Sequence, residues 1–301
     1  MIKSAELSQT RYRIADLFLE FNHPVSLPLT QLLASFRDFQ ISSTMDKADI
    51  VINISLEAPP VTDDMGILRT DESIAWGDRF RFYEKGDQFI TTIANEQANG
   101  TWYQYSERNF EQSTIYVPVS SADEQSAVIT WISMMIFGQA SLLHDTIMIH
   151  ASVVNHKGHG VAFLGKSGTG KSTHSRLWLT HIPATVLLND DNPAIRLTAA
   201  GIFIYGTPWS GKTPCYKNEK LPLKAFVRLQ QAPVNQFEWQ PGMKGFIAVL
   251  PSCTSIRWNK DLFSSMNTIL EKIIAEVPVG YLKCLPDVDA AQLCHRHIFS
   301  K

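Results

Sequence analysis

Cysteine is scarce, with four residues in 301, at Cys215, Cys253, Cys284 and Cys294. No two stand in a Cys-x₂₋₄-Cys spacing, so neither a zinc site nor a disulfide framework is expected. The thiols read as reduced, structural groups of a cytoplasmic protein. A surplus of positive charge is also missing: 27 basic residues against 29 acidic ones leave a net charge of −2. Without a basic face, no nucleic-acid partner is expected. Unbroken apolar runs are short as well. The longest stretch, Ala127 to Leu143, is interrupted by Thr130, Ser133, Gly138, Gln139 and Ser141, and falls short of the roughly 20 apolar residues that cross a bilayer. It reads as a buried helix opened by a capping box at Ser121-Ala122-Asp123-Glu124, and no membrane partner is expected. The N-terminal MIKSAELSQTRYR is too polar for a signal peptide. Internal repeats and low-complexity tracts are lacking.

What is present is a composition for a folded core, 45% hydrophobic and 19% charged. It is arranged in two halves. Residues 1–120 carry short β-type runs at Ile50–Ile54, Arg79–Tyr83, Phe89–Ile93 and Thr101–Tyr105. Lys85-Gly86-Asp87 and Ala98-Asn99-Gly100 separate three of them. This spacing predicts an antiparallel meander of unknown role. Residues 121–301 mix helices and strands, which predicts an α/β domain. After the buried helix come strands near Met148–Val154 and Val161–Leu164, a turn at His156-Lys157-Gly158-His159-Gly160, and a helix over Lys171–Thr180. Strands follow near 185–188, 194–197, 202–205 and 225–229. A helix (261–275), a strand (279–285) and a helix (287–297) close the chain.

The chemistry concentrates between these elements. Gly165-Lys166-Ser167-Gly168-Thr169-Gly170-Lys171-Ser172 follows an apolar strand and opens a helix, the setting of a phosphate loop. Glycines allow the backbone to curl its amides inward around an anion, and the helix N-terminus adds its positive end. Lys171 then reaches the β- and γ-phosphates and the Ser172 hydroxyl ligates Mg²⁺, so ATP and Mg²⁺ are the expected ligands. Thr173 extends the binding set.

Asn189-Asp190-Asp191 closes the apolar run Val186-Leu187-Leu188, placing two carboxylates at a strand end. Neighbours on an extended chain point oppositely, so one can face the metal and the other an acceptor hydroxyl; the same residues also make a good solvated turn. His150 ends the run Thr146–Ile149 one hairpin before the phosphate loop, as either a core residue or a site residue. His156 and His159 read as turn residues, and nothing singles out His174. The loop Gly206-Thr207-Pro208-Trp209-Ser210-Gly211-Lys212 suits a segment brought near phosphate, with Lys212 as a second cation. Arg228, Arg257 and Lys217 are further cations that the sequence does not distinguish.

His150-Ala151-Ser152, Gly165–Ser172 and Asp190-Asp191, in this order, resemble the catalytic domain of HPr kinase/phosphorylase. The loop with its later aspartates also resembles ATP-dependent phosphoenolpyruvate carboxykinase, which shares that fold. The resemblance covers roughly residues 145–300. It implies a phosphate-loop domain of that type behind a β-rich N-terminal region, and a serine/hydroxyl kinase. His150, Lys171, Ser172, Asp190 and Asp191 match functional positions. The aspartates would supply a general base and, with Ser172, hold the metal, the division of labour between them being open. Thr173 stands where HPr kinases carry Glu, and the Glu-Ile/Val-Arg-Gly-type signature is missing, so neither the reverse reaction nor HPr as acceptor is implied. The expected partner is a hydroxyl-bearing protein, peptide or metabolite. A homo-oligomer is left open. A nucleotide-responsive accessory protein without phosphotransfer is the other reading of the same residues.

Overall fold

Tight hairpins organise the first half of the chain. Ala15 and Asp16 have φ of 51° and 59°, the left-handed pair that a two-residue hairpin turn requires, and they join β1 (Leu7–Ile14) to β2 (Leu17–Pro24). The computed structural model describes residues 6–42, 47–60, 64–73, 78–95, 100–211 and 213–300. The chain divides after Ala140 into two units.

The first unit continues through α1 (Leu29–Leu32), β3 (Gln40–Ile41), β4 (Ile50–Ser55), β5 (Ile67–Ser73), β6 (Asp78–Lys85), β7 (Gln88–Asn95), β8 (Thr101–Glu107), β9 (Gln112–Tyr116) and α2 (Ala122–Ala140). Among the described residues, nine strands form one sheet in the order β3-β1-β2-β4-β9-β8-β7-β6-β5. Strands β5 to β9 are an antiparallel meander, while β4 joins β2 and β9 in parallel. All four expected β-type runs lie in strands of this sheet; the β1–β2 hairpin and β9 were not anticipated. The expected turn at Ala98-Asn99 lies outside the described residues.

Helix α2 begins as the capping sequence suggests, with Glu124 N–H donating to Ser121 Oγ at 3.3 Å. The Glu124 carboxylate accepts from Trp102 Nε1 at 3.3 Å. Ile129, Ile132, Ile136 and Phe137 are buried. With the 3₁₀ turn that follows, Ala122–His144 is long and apolar enough to cross a membrane by length and composition alone, and 61% of its apolar window is buried. The division after Ala140 counts α2 with the β-rich unit, whereas the sequence reading placed it with the second half.

The second unit runs β10 (Thr146–Met148), β11 (Ala151–His156), β12 (His159–Leu164), α3 (Lys171–His181), β13 (Thr185–Asp191), β14 (Ala194–Thr198), β15 (Gly201–Tyr205), β16 (Lys220–Gln231), β17 (Gln236–Trp239), α4 (Met243–Val249), α5 (Lys260–Glu276), β18 (Val279–Cys284) and α6 (Val288–Phe299). The sheet path is β10-β14-β15-β16-β12-β11-β13, and β18 pairs with both β16 and β17. Strand β16 holds the two sides together. Its first residues pair antiparallel with β15, and its later ones run parallel between β12 and β18. Its burial changes accordingly, from alternation at Lys220–Lys224 to a fully buried Ala225-Phe226-Val227, as expected for a strand covered on both faces. Phe163, Trp178, Val227, Leu282 and Cys294 form the core under α3 and α6.

Two expectations are corrected here. The single strand over Met148–Val154 is two strands, because the intervening amides bond elsewhere: Ile149 N–H to Pro193 O at 3.0 Å and His150 N–H to Ser252 O at 2.7 Å. His156 is a buried strand residue, 2% exposed, with Nδ1 3.0 Å from Thr185 Oγ1. The turn itself is only Lys157-Gly158, with φ of 49° and 82°.

Candidate functional site

The phosphate-loop sequence folds locally. Gly168 and Gly170 have φ of 78° and 104°, a region that L side chains rarely adopt. Thr169 closes the loop, its N–H and Oγ1 donating to Lys166 O at 3.1 and 2.7 Å. Gly165 sits beneath Thr169, where a Cβ would come within 3.0 Å of the threonine side chain. Gly170 is the N-cap of α3 and makes no side-chain cap, so the first amides of the helix are left to face whatever the loop encloses.

The orientation of the aspartates depends on a β-bulge. Strand β13 pairs antiparallel with β11 as Thr185↔His156 and Leu187↔Val154, then as Asn189↔Val153 and Asp190↔Ser152, leaving Leu188 as the extra residue. His156 and Val154 pack toward Trp178 on α3. In an unbulged strand Asp190 would therefore point away from α3. One added residue reverses the parity beyond it. Asp190 then shares a face with Ser152, whose Oγ is 2.6 Å from Ser175 Oγ on α3. Ser172 Oγ donates to Asp190 Oδ1 at 3.0 Å.

Asp191 turns the other way and meets His150, with Nδ1 to Oδ1 at 2.9 Å. His150 Nε2 lies 2.8 Å from Lys171 Nζ. An ammonium only donates, so Nε2 accepts, the proton sits on Nδ1, and Nδ1–H donates to Asp191. The result is a connected chain Lys171–His150–Asp191. Lys171 Nζ also donates to Gly165 O at 3.0 Å and toward Lys166 O at 3.5 Å. Burial pushes the Lys171 ammonium below its usual range, Asp191 and Asp190 pull it back up, and Arg228 pushes it down.

A hub that sequence reasoning missed is Asn189, 0% exposed. Its Oδ1 accepts from the N–H groups of Asp191 and Asn192 at 3.2 and 3.1 Å. Its Nδ2 reaches Thr207 O, Thr207 Oγ1 and Trp209 O, each at 3.3 Å. The loop expected near the site is thus tied to the aspartate turn, and Gly211 N–H donates to Asp190 O at 2.7 Å. Lys212 lies outside the described residues. Beside the loop, Arg228 donates to Ala248 O at 3.0 Å. His174 is a core residue. Its Nε2 accepts from Trp178 Nε1 at 3.2 Å, and burial lowers its pKa to about 4.

The structure therefore gathers His150, Lys171, Ser172, Asp190 and Asp191 around the N-terminus of α3, while Lys166 and Ser167 stay exposed on the loop and Thr173 is half-buried in the first turn. Asn189 carried a sequence signal only as a polar residue closing an apolar run. No protein-family model matches the chain, and no curated protein matches it. Among solved structures it is similar to the HPr(Ser) kinase/phosphatase from Coxiella burnetii, at 13% identity and a TM-score of 0.28, over 49% of this chain and 90% of that one. A likeness so distant leaves the chemistry to be argued from the residues of this chain.

Proposed function

We propose that this chain is an ATP-dependent kinase that moves the γ-phosphoryl group to a serine-type hydroxyl on a protein, peptide or small molecule. The observation that carries this reading is the meeting of a phosphate loop with two carboxylates of different surroundings at one helix N-terminus. Asp190 is bonded to Ser172 and Asp191 is linked through His150 to Lys171.

The first pair suits Mg²⁺. Ser172 Oγ and Asp190 Oδ1 are hard oxygen donors brought within 3.0 Å of each other at the loop, and they would hold the ion. When bound there, Mg²⁺ supplies charge neutralisation for the phosphate oxygens.

The residues of the chain do the rest. Loop amides and Lys171 hold the β- and γ-phosphates, Lys171 exchanging its carbonyl partners for phosphate oxygens. Asp191, oriented by the Nδ1–H of His150, accepts the proton of the acceptor hydroxyl. The acceptor oxygen forms its bond to the γ-phosphorus as the bond from that phosphorus to the bridging oxygen of ADP breaks. Positioning and charge neutralisation carry most of the rate.

The test is ATP turnover with hydroxyl acceptors in wild type, Asp190→Asn and Asp191→Asn, alongside calorimetric Mg·ATP binding. Transfer lost with binding kept in Asp191→Asn supports the reading. Binding without turnover for every acceptor class would leave a nucleotide-responsive accessory protein instead.

A further inference from the structure

Beside the phosphate loop lies a cavity of about 580 Å³ that the proposed chemistry does not use. We infer that it is a nucleoside subsite that holds the base by its faces and discriminates poorly between adenine and guanine; this rests on the phosphate-loop reading above.

The direction of the nucleotide follows from α3. Gly170, Thr173, His174 and Leu177 line the cavity, and they stand at i, i+3, i+4 and i+7, one stripe of the helix. Ser172, bonded to Asp190, lies about 150° round the helix from that stripe, at 3.6 residues per turn. A triphosphate across the helix N-terminus has its γ end at Ser172 and the carboxylates. Its other end emerges on the Thr173–Leu177 side, into the cavity.

The wall there is apolar, made by Leu177, Leu229, Ala232, Pro233, Leu285 and Pro286, and the volume is that of a small-ligand site. Three hydrogen-bond donors on this side are already committed. Ala232 N–H donates to Cys284 O at 3.1 Å, Leu285 N–H to Asn235 Oδ1 at 2.8 Å, and Gln231 Nε2 to Gly168 O at 3.3 Å. Pro233 and Pro286 have no N–H to give. Selectivity between bases requires placed donors and acceptors against their edges. This wall instead offers apolar surface to the faces of any purine.

Calorimetry on the full chain with Mg²⁺ tests the inference. In wild type, ATP and GTP should bind within about threefold of each other, and tripolyphosphate about tenfold or more weakly than either. Ala232→Trp, which fills the cavity from a half-buried loop position, should bring both nucleotides down to the tripolyphosphate level and leave tripolyphosphate unchanged. If that variant melts well below wild type, Leu285→Ala decides, with an expected loss of about threefold for nucleotides alone. The inference is overturned if ATP and GTP differ by more than about thirtyfold, or if wild type binds tripolyphosphate as tightly as ATP. Unchanged ATP affinity in the decisive variant also overturns it. Wild type binding neither tripolyphosphate nor nucleotide would instead sink the phosphate-loop reading beneath it.

Discussion

Replacing Asn189 by alanine should loosen the aspartate turn more than any other single change outside the phosphate loop. The carboxamide is fully buried and serves five partners. Its oxygen accepts from Asp191 N–H and Asn192 N–H at 3.2 and 3.1 Å, and its nitrogen is shared among three oxygens at 3.3 Å. Alanine strands two amides and at least one carbonyl. Each lost hydrogen bond is worth about 1 kcal/mol net and more where the survivor stays dry, while the long 3.3 Å contacts fall at the weak end, so the cost is about 2–4 kcal/mol. In a unit of this size that corresponds to a melting-temperature fall of roughly 4–16 °C. Urea unfolding and thermal melts read it directly. Asn192→Ala is the control, removing one half-exposed bond to Asp191 Oδ2 at 2.9 Å, with an expected cost of about 1 kcal/mol or less. A loss below about 0.5 kcal/mol for Asn189→Ala would show that the turn and the Thr207–Trp209 loop do not depend on this hub.

Three further outcomes follow from the same geometry. Lys171→Ala should weaken Mg·ATP binding about 100-fold by calorimetry, the loss of a charge-assisted phosphate contact; equal affinity would refute the site. His174 is held at about 4 against 6.5 for the free group. The unfolded chain therefore takes up the proton first, and stability is complete above pH 6.5 and lost as the pH falls toward 4. The loss from pH 7 to 5 should be about 2 kcal/mol, and His174→Gln should flatten that part of the profile in urea titrations. Gly206→Ala would drive a Cβ into the Lys217 carbonyl, so a destabilisation of about 1–3 kcal/mol is expected by thermal melt.

Much of the site was legible before any fold was known, because its parts are local. Gly168 and Gly170 can take up their left-handed conformations whatever the rest of the chain does. The apolar Val161–Leu164 strand and the helix from Lys171 flank them in the expected places. Alternating runs likewise marked β4, β6, β7 and β8. The β1–β2 hairpin was missed because its turn is Ala15-Asp16 rather than a glycine-bearing pair, and its left-handed conformation depends on the strands it joins. His156 was misread because it borders a true turn, and only packing against Trp178 and His295 shows it to be interior.

By itself the sequence determined the glycine-rich loop, its lysine and serine, and a carboxylate pair at the end of an apolar strand. Glycine conformations, helix starts and strand ends depend on neighbours a few residues away. Tertiary structure alone decided which carboxylate meets which partner. Leu188 is unpaired only because β13 lies against β11, and that single extra residue turns Asp190 toward Ser172 and leaves Asp191 to His150. His150 in turn meets Lys171 because Pro193 and Ser252 hold the break between β10 and β11. These are contacts between residues distant along the chain, and no local preference encodes the parity of a strand within its sheet.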